Sequence, residues 1–358
     1  MFAACNDPVF YAISKEVKPI EPFIKGGPSN FAVSGSVLFV ASGGGLYRYS
    51  GSGWEKAQIA NVKKIASLAS DGTYLYALTY AGVNTSTAVV KRLDTGGAWT
   101  NIDTGGWNIL NIYAAGGKLF IGVESSGSYT ILYVDGTGAV ELECTGEICG
   151  AAFNGTDYFL CTKGDTVYRL PGSGFPGTPD SIVEDKAKFY GIISLENDPL
   201  SSTVAVITRD GKLYTVTDSV ITDSGAALSG FASGALAVWR ENGSGVPKLL
   251  LAGRQDSLEY TISSGYTYGY VEIDITSTGT SGTFREPGGS PSSISPPGVA
   301  GDTERYKSTI GKNPVNHLFQ APVNVDGNMT LFASTQKNGV WSYRERKGLY
   351  QWNAEEKD

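Results

Sequence analysis

The stretch SVLFVASGGGLYRYS, residues 36–50, decides the fold of this chain. It contains an apolar run (37–41), three glycines (43–45) and a segment that alternates apolar and polar residues (46–49). This pattern is typical of one strand, a tight turn and a second strand, and it predicts a β-hairpin. A similar stretch, TLFASTQKNGVWSYRE, occurs at residues 330–345, and weaker copies lie between the two. The hairpin is therefore a repeated unit.

The repeated units follow one another at a period of roughly 40 residues, with about four strands in each. We place seven units at about residues 29–60, 62–104, 107–144, 147–185, 188–223, 227–275 and 313–353. One four-stranded sheet cannot bury both of its faces, whereas neighbouring sheets arranged in a ring bury them all. The sequence therefore predicts an all-β fold, a seven-bladed β-propeller, with an eight-bladed ring as the alternative.

The chain divides into a propeller with short extensions at its two ends. We expect residues 1–28, with four prolines, to form a tether, residues 29–353 to form the propeller and residues 354–358 to form a charged tail. Residues 276–301 are rich in Ser, Gly and Pro and hold few large apolar side chains. Such a segment contributes little to a core, and it is predicted to be an insertion between the last two blades.

The charge distribution disfavours a nucleic-acid partner. Lys and Arg number 28 against 35 Asp and Glu, which gives a formal net charge of −7. No run of Lys and Arg exceeds two residues, whereas binding to phosphates needs clustered positive charge. No apolar run approaches the roughly 20 residues that a membrane-spanning helix needs.

The first residues, MFAAC, resemble the end of a bacterial lipoprotein signal. In such signals the small residues, here Ala3 and Ala4, fit the signal peptidase, and the cysteine thiol, here Cys5, takes the lipid. The resemblance implies a protein of the bacterial cell envelope, periplasmic or on the surface. It also implies that the chain contacts the membrane only through a lipid anchor on Cys5.

Two copies of the repeat resemble a known bacterial propeller repeat. LFVASGGGLYRYSG (38–51) and LFASTQKNGVWSYRE (331–345) are similar to the repeat found in sensor domains of two-component regulators. That repeat runs from an apolar strand through Thr or Ser and Asn/Gly-Gly to Leu-Tyr or Leu-Trp, Arg and Tyr. The resemblance implies a propeller fold, and it describes a hairpin rather than a reaction.

Three of the four cysteines lie close together in the sequence. A loop of residues 154–156 would place Cys149 opposite Cys161 on paired strands, so a disulfide between them is possible. Cys144 and Cys149 could instead close a small loop in CTGEIC, and all three could be buried free thiols. No CxxC pair is present, which disfavours a zinc or redox motif.

The sequence offers few groups for catalysis. His317 is the only histidine, so no Ser-His-Asp arrangement and no His-rich metal site can be assigned, and we expect no metal and no cofactor. Glycosidases use two facing carboxylates. We interpret Glu272 with Asp274, which alternate along one strand, and the Glu141–Glu147 cluster as solvated faces.

Aromatic residues suggest a binding surface. Tyr266, Tyr268 and Tyr270 alternate and so point to one face of a strand. With Trp239 and Tyr260 they are predicted to form a stacking platform for a glycan or a protein. Packing against the next blade is the alternative explanation.

These observations favour a non-enzymatic, envelope-associated lipoprotein whose propeller binds a protein or small ligand, or serves as a scaffold. Loops of a propeller converge at the ends of its central channel, which makes the channel the expected binding region. The alternative is a glycan-active hydrolase or lyase that uses paired carboxylates at the channel.

Overall fold

The computed structural model describes residues 23–51, 53–82, 87–134, 139–173, 179–184, 187–195, 202–227, 235–240, 245–252, 269–276, 279–285, 310, 313–346 and 349–355. These residues form seven antiparallel sheets, each of four strands that are consecutive in the chain. The chain is thus an all-β, seven-bladed β-propeller, as predicted, and the eight-bladed alternative is wrong.

Each blade runs from an inner first strand to an outer fourth strand. Blades one to three contain β1–β4 (Ala32–Ser34, Val37–Ser42, Gly45–Tyr49, Trp54–Gln58), β5–β8 (Lys64–Ser70, Leu75–Tyr80, Ala88–Leu93, Trp99–Asn101) and β9–β12 (Asn108–Ala115, Lys118–Ser125, Ser128–Val134, Ala139–Cys144). Blades four and five contain β13–β16 (Ile148–Phe153, Asp157–Thr162, Thr166–Pro171, Asp180–Val183) and β17–β20 (Phe189–Ser194, Thr203–Thr208, Lys212–Thr217, Val220–Ala227). Blades six and seven contain β21–β24 (Leu236–Trp239, Lys248–Ala252, Tyr270–Thr276, Gly279–Arg285) and β25–β28 (Val315–Gln320, Leu331–Thr335, Val340–Arg346, Leu349–Ala354).

Strand periodicity divides the side chains of each blade between two cores. In β2 and β3, one face packs toward blade seven and carries Leu38, Val40, Tyr47 and Tyr49. The other face packs toward blade two and carries Phe39, Ala41 and Leu46. This separation follows from the two-residue repeat of a strand. It explains why the stretch at residues 36–50 is apolar at almost every position.

The turn between β2 and β3 needs glycine because the next blade lies against it. Gly43 has a φ of 57°, in the left-handed region. A Cβ on Gly44 would lie 2.9 Å from the carbonyl oxygen of Lys63. The Ile65 amide donates to the Gly43 carbonyl at 2.7 Å, which fixes the hairpin tip to the inner strand of blade two.

Five inner strands carry a β-bulge near their first residues, which the sequence pattern did not predict. The extra residues interrupt the pairing with the second strand at Ala66, Leu110, Cys149, Tyr190 and Asn316. A bulge re-aims the side chains beside it. The first strands of neighbouring blades lie against one another around the central channel, so these bulges lie at one end of that channel.

Both ends of the described chain close the ring. Ile24 is fully buried in the core between blades seven and one. The Gly339 amide donates to the Gly26 carbonyl at 3.0 Å, and the Phe23 amide donates to the Glu355 carbonyl at 2.8 Å. The predicted boundaries at residues 28 and 354 are therefore too narrow, because residues 23–27 and Glu355 belong to the closure.

The predicted insertion at residues 276–301 also begins too early. Gly279–Arg285 form β24, the outer strand of blade six, and Phe284 is fully buried between blades five and six. An outer strand with one buried aromatic side chain needs few other apolar residues, so its composition resembles that of a loop. Residues 286–301 lie outside the described residues.

The Glu355 carboxylate joins the last blade to the first, and its removal should destabilise the ring. It accepts from Trp54 Nε1 at 3.0 Å, pairs with Arg344 Nη2 at 3.2 Å and accepts from the Ser342 hydroxyl. We expect Glu355→Ala to lower the free energy of unfolding by about 1–3 kcal/mol, because buried donors lose their acceptor. Urea denaturation measures the change.

Glu55 provides the matched control. It pairs with Arg48 at 2.7 Å, but the two side chains are more than half exposed. Glu55→Ala should cost less than about 1 kcal/mol. Equal losses in the two variants would contradict the closure role of Glu355.

Candidate functional site

One end of the central channel gathers polar groups from three blades. We define the channel-mouth cluster as Asn111 and Tyr113 on β9, Glu147 immediately before β13, Lys163 immediately after β14, and Tyr190 on β17. Glu147 and Tyr190 lie at the beginnings of β13 and β17, and Lys163 lies beside Glu147 where β14 ends. Asn111 and Tyr113 lie further along β9, with Tyr113 near Glu147 and Tyr190. The cluster therefore belongs to the end of the channel at which the bulges occur.

Glu147 lies at the centre of this cluster. Its Oε1 accepts from Asn111 Nδ2 at 3.0 Å and from Lys163 Nζ at 2.7 Å. Asn111 Nδ2 also donates to the Ile148 carbonyl at 2.8 Å, and the Lys163 amide donates to the Glu147 carbonyl at 2.8 Å. The Lys163 side chain remains half exposed, so the pair presents a positive charge beside a fixed carboxylate.

Two glycines make room for the cluster. A Cβ on Gly122 would lie 2.3 Å from Asn111 Oδ1 and 2.4 Å from Ile148 Cγ2. A Cβ on Gly150 would lie 2.8 Å from Ile192 Cγ2. Asn111 Oδ1 is buried and accepts no hydrogen bond from the described residues. The site thus holds an acceptor that the surrounding protein leaves unsatisfied.

The hydroxyl of Tyr113 is kept neutral. Burial raises the pKa of Tyr113 well above its ordinary value, and the nearby Cys149, Cys161 and Glu147 add to the rise. A neutral phenol can donate a hydrogen bond and can also accept one. The channel mouth therefore contains a buried phenol and a buried amide oxygen beside a carboxylate and a half-exposed ammonium group.

The structure brings together the two cysteines that the sequence paired. Residues 154–156 connect β13 to β14, as predicted, and the Sγ atoms of Cys149 and Cys161 lie 2.8 Å apart. Both are buried free thiols, and burial raises the pKa of Cys161 well above its ordinary value. Cys144 is a half-buried thiol whose Sγ donates to the Gly146 carbonyl at 3.1 Å.

The predicted aromatic platform is wrong for its two described members. Trp239 and Tyr270 are 4% and 1% exposed and lie in the core between blades six and seven. Trp239 packs edge-on against Tyr343, and Tyr270 packs edge-on against Trp352. For these two residues the alternative explanation holds, because the next blade covers them. Tyr260, Tyr266 and Tyr268 lie outside the described residues.

The paired carboxylates of blade six do not form a solvated face. Glu272 is fully buried, 2.9 Å from Lys248 Nζ and 3.5 Å from Arg285 Nε. Asp274 lies 2.5 Å from Arg285 Nη2. Lys248 Nζ also lies 5.9 Å from the ring centroid of Trp239. Two cations thus neutralise two carboxylates, which ties three neighbouring strands together.

The remaining candidate groups are dispersed. Glu141 and Glu143 are exposed on the outer strand β12, as the solvated-face interpretation predicted. His317 is half-buried on the inner strand β25. Among the residues with described structure, no three His, Cys, Asp or Glu side chains are grouped as a metal site would need. The same residues include no helix with the length and apolar character to span a membrane.

The fold and the channel define the class of this protein as a seven-bladed β-propeller. A chain of the "Crystal Structure of Mitotic Checkpoint Complex" is similar, with a TM-score of 0.58, 12% sequence identity and coverage of 91% of this chain and 96% of that one. YCF48 from Cyanidioschyzon merolae is similar with a TM-score of 0.53, 13% identity and coverage of 90% and 96%. At this identity the likeness shows the fold alone. No family model and no curated protein matches the chain.

The ion pairs of blade six should be required for stability. We expect Glu272→Gln to lower the free energy of unfolding by about 3–5 kcal/mol, because it leaves buried positive charge without a partner. Urea denaturation measures the loss. Glu141→Gln, on the exposed outer strand β12, is the control and should change stability by less than about 0.5 kcal/mol. A small loss at Glu272 would show that its charge is not needed.

Proposed function

We propose that this protein is a non-enzymatic binding or scaffold module that contacts a protein or small ligand at the channel-mouth cluster. The convergence of Asn111 from blade three and Lys163 from blade four on Glu147 carries the proposal. Hydrogen-bonding groups that converge from neighbouring elements are typical of a ligand site.

The state of the carboxylates supports binding over hydrolysis. A glycosidase needs two carboxyl groups that face the substrate, one of which can give up a proton. Glu272 and Asp274 are paired with cations, Glu272 fully buried and Asp274 partly buried, and Glu147 is held by Lys163 and Asn111. These carboxylates are engaged in structural contacts, so we do not propose the hydrolase alternative.

The fold comparison is consistent with a scaffold. One of the similar chains comes from the crystal structure of a complex, the mitotic checkpoint complex. A rigid ring whose loops meet at two ends offers surfaces for several contacts at once. This support comes from the fold, and the particular partner is not specified by it.

Capture from native membranes tests the binding proposal. We expect immobilised protein to retain a partner or ligand, and Lys163→Glu to reduce the retained amount at least about tenfold, since the variant replaces the half-exposed ammonium group of the mouth with a second carboxylate. Mass spectrometry of the eluted material gives the amounts. Lys56→Glu, on the exposed outer strand β4, is the matched control and should retain the wild-type amount.

Three outcomes would overturn the binding proposal. These are equal retention by the two variants, no retention by the wild type, and release of reducing sugar from envelope glycans by the purified protein. Thermal unfolding of both variants confirms that each is folded before retention is compared.

We further propose that the protein is anchored to the bacterial envelope by a lipid on Cys5. The support is the resemblance of Ala3-Ala4-Cys5 to a lipoprotein signal, and Cys5 lies outside the described residues. A lipid on Cys5 would leave the whole propeller, from residue 23 onward, free to meet partners in the envelope.

The lipid on Cys5 can be detected in protein from its native cell. We expect mass spectrometry of the N-terminal peptide to show an acylated cysteine, and detergent partitioning to place the protein in the detergent phase. Cys5→Ser should move the protein to the aqueous phase. An unmodified Cys5 in a cytosolic protein would contradict the anchor and leave the channel proposal untouched.

A further inference from the structure

Cys149 and Cys161 occupy an irregular place in the pairing of β13 and β14. Cys161 pairs with Gly150, whereas Cys149 is the extra residue of the bulge. In a regular ladder the neighbour of the paired residue points to the opposite face. The bulge turns the Cys149 side chain back, so that both thiols lie in the core between blades four and five.

The surroundings favour close approach of the two sulfur atoms. Gly150 lies opposite Cys161 in the ladder, next to the bulged Cys149. The Sγ atoms are already 2.8 Å apart. A disulfide has sulfur atoms about 2.0 Å apart, so a shift of under about 1 Å would form the bond.

From this geometry we infer that Cys149 and Cys161 form a cross-strand disulfide when the chain folds with a disulfide-containing oxidant such as oxidised glutathione. One cysteine thiolate attacks the oxidant and releases one reduced thiol, which leaves a mixed disulfide. The second thiolate then attacks the protein sulfur of that mixed disulfide and releases the second reduced thiol. Two protein thiols are oxidised, and one external disulfide is reduced to two thiols.

The bond forms before blade five covers the pair. Cys161 is fully buried in the folded protein and Cys149 is nearly so, which shields both from solvent oxidants. Burial also raises the pKa of Cys161 and suppresses its reactive thiolate in the native state. Once formed, the same burial protects the bond from reductants. An oxidising compartment such as the proposed envelope would supply the oxidant, but the inference does not depend on the ligand site.

Peptide mapping of the refolded full chain tests the disulfide. The chain is refolded with oxidised and reduced glutathione, unfolded in denaturant and alkylated. Proteases that cleave at Glu147 and at Asp157 then separate the three cysteines from one another. We expect a linked pair of fragments that contain Cys149 and Cys161, a mass lower by two hydrogens, and alkylation of Cys144.

Single-cysteine variants show which two of the three cysteines are linked. Cys144→Ala should keep the linked fragments, and Cys149→Ala should lose them. Wild type and Cys144→Ala refolded with excess reductant should have a lower thermal midpoint than the same proteins refolded with oxidised glutathione, whereas Cys149→Ala should show no difference. Alkylation of both Cys149 and Cys161 in the glutathione-refolded wild type, or a Cys144–Cys149 link, would overturn the inference. The wild-type map decides the matter even where Cys149→Ala fails to fold.

Discussion

The burial of both faces of every sheet is the constraint on which this structure depends. The described residues form seven hydrophobic clusters, and each cluster lies between one pair of neighbouring blades. The cluster that joins blade seven to blade one contains Ile24, Leu38 and Phe332. Without that last interface two blades would each expose an apolar face, so the contacts of Ile24 and Glu355 complete the seventh interface of the ring.

This constraint explains why the sequence predicts the fold well. A strand that is buried on both faces must be apolar at most positions, and its turn must be tight, which is what residues 36–50 show. The blade count follows because each unit repeats that pattern. The ring closure was not predicted because Ile24 lies among prolines and Glu355 lies among charged residues. The composition of both segments predicts exposed side chains. Only the neighbouring blade shows that both are buried.

The site was harder to predict because periodicity gives the direction of a side chain and not its depth. Tyr270 and Trp239 were predicted to belong to a surface platform, yet the next blade covers them. Glu272 reads as a solvated residue, but Lys248 and Arg285 compensate its burial from neighbouring strands. A cue was present for Tyr270 and Glu272, since both lie on β23, where Val271, Ile273 and Ile275 alternate with them.

The bulges connect the packing of the ring with its function. Ladder positions are fixed by the clusters on the two faces, whereas a bulged residue is released from regular pairing. The five bulged residues are Ala66, Leu110, Cys149, Tyr190 and Asn316, so five different side chains occupy one structural position. The fold has a bulge at this position but does not restrict which side chain occupies it. The blades of a repeat protein can therefore differ in chemistry at this position. Two of the five, Cys149 and Tyr190, lie at the proposed disulfide and in the channel-mouth cluster, which places both proposals at the same feature of the inner strands.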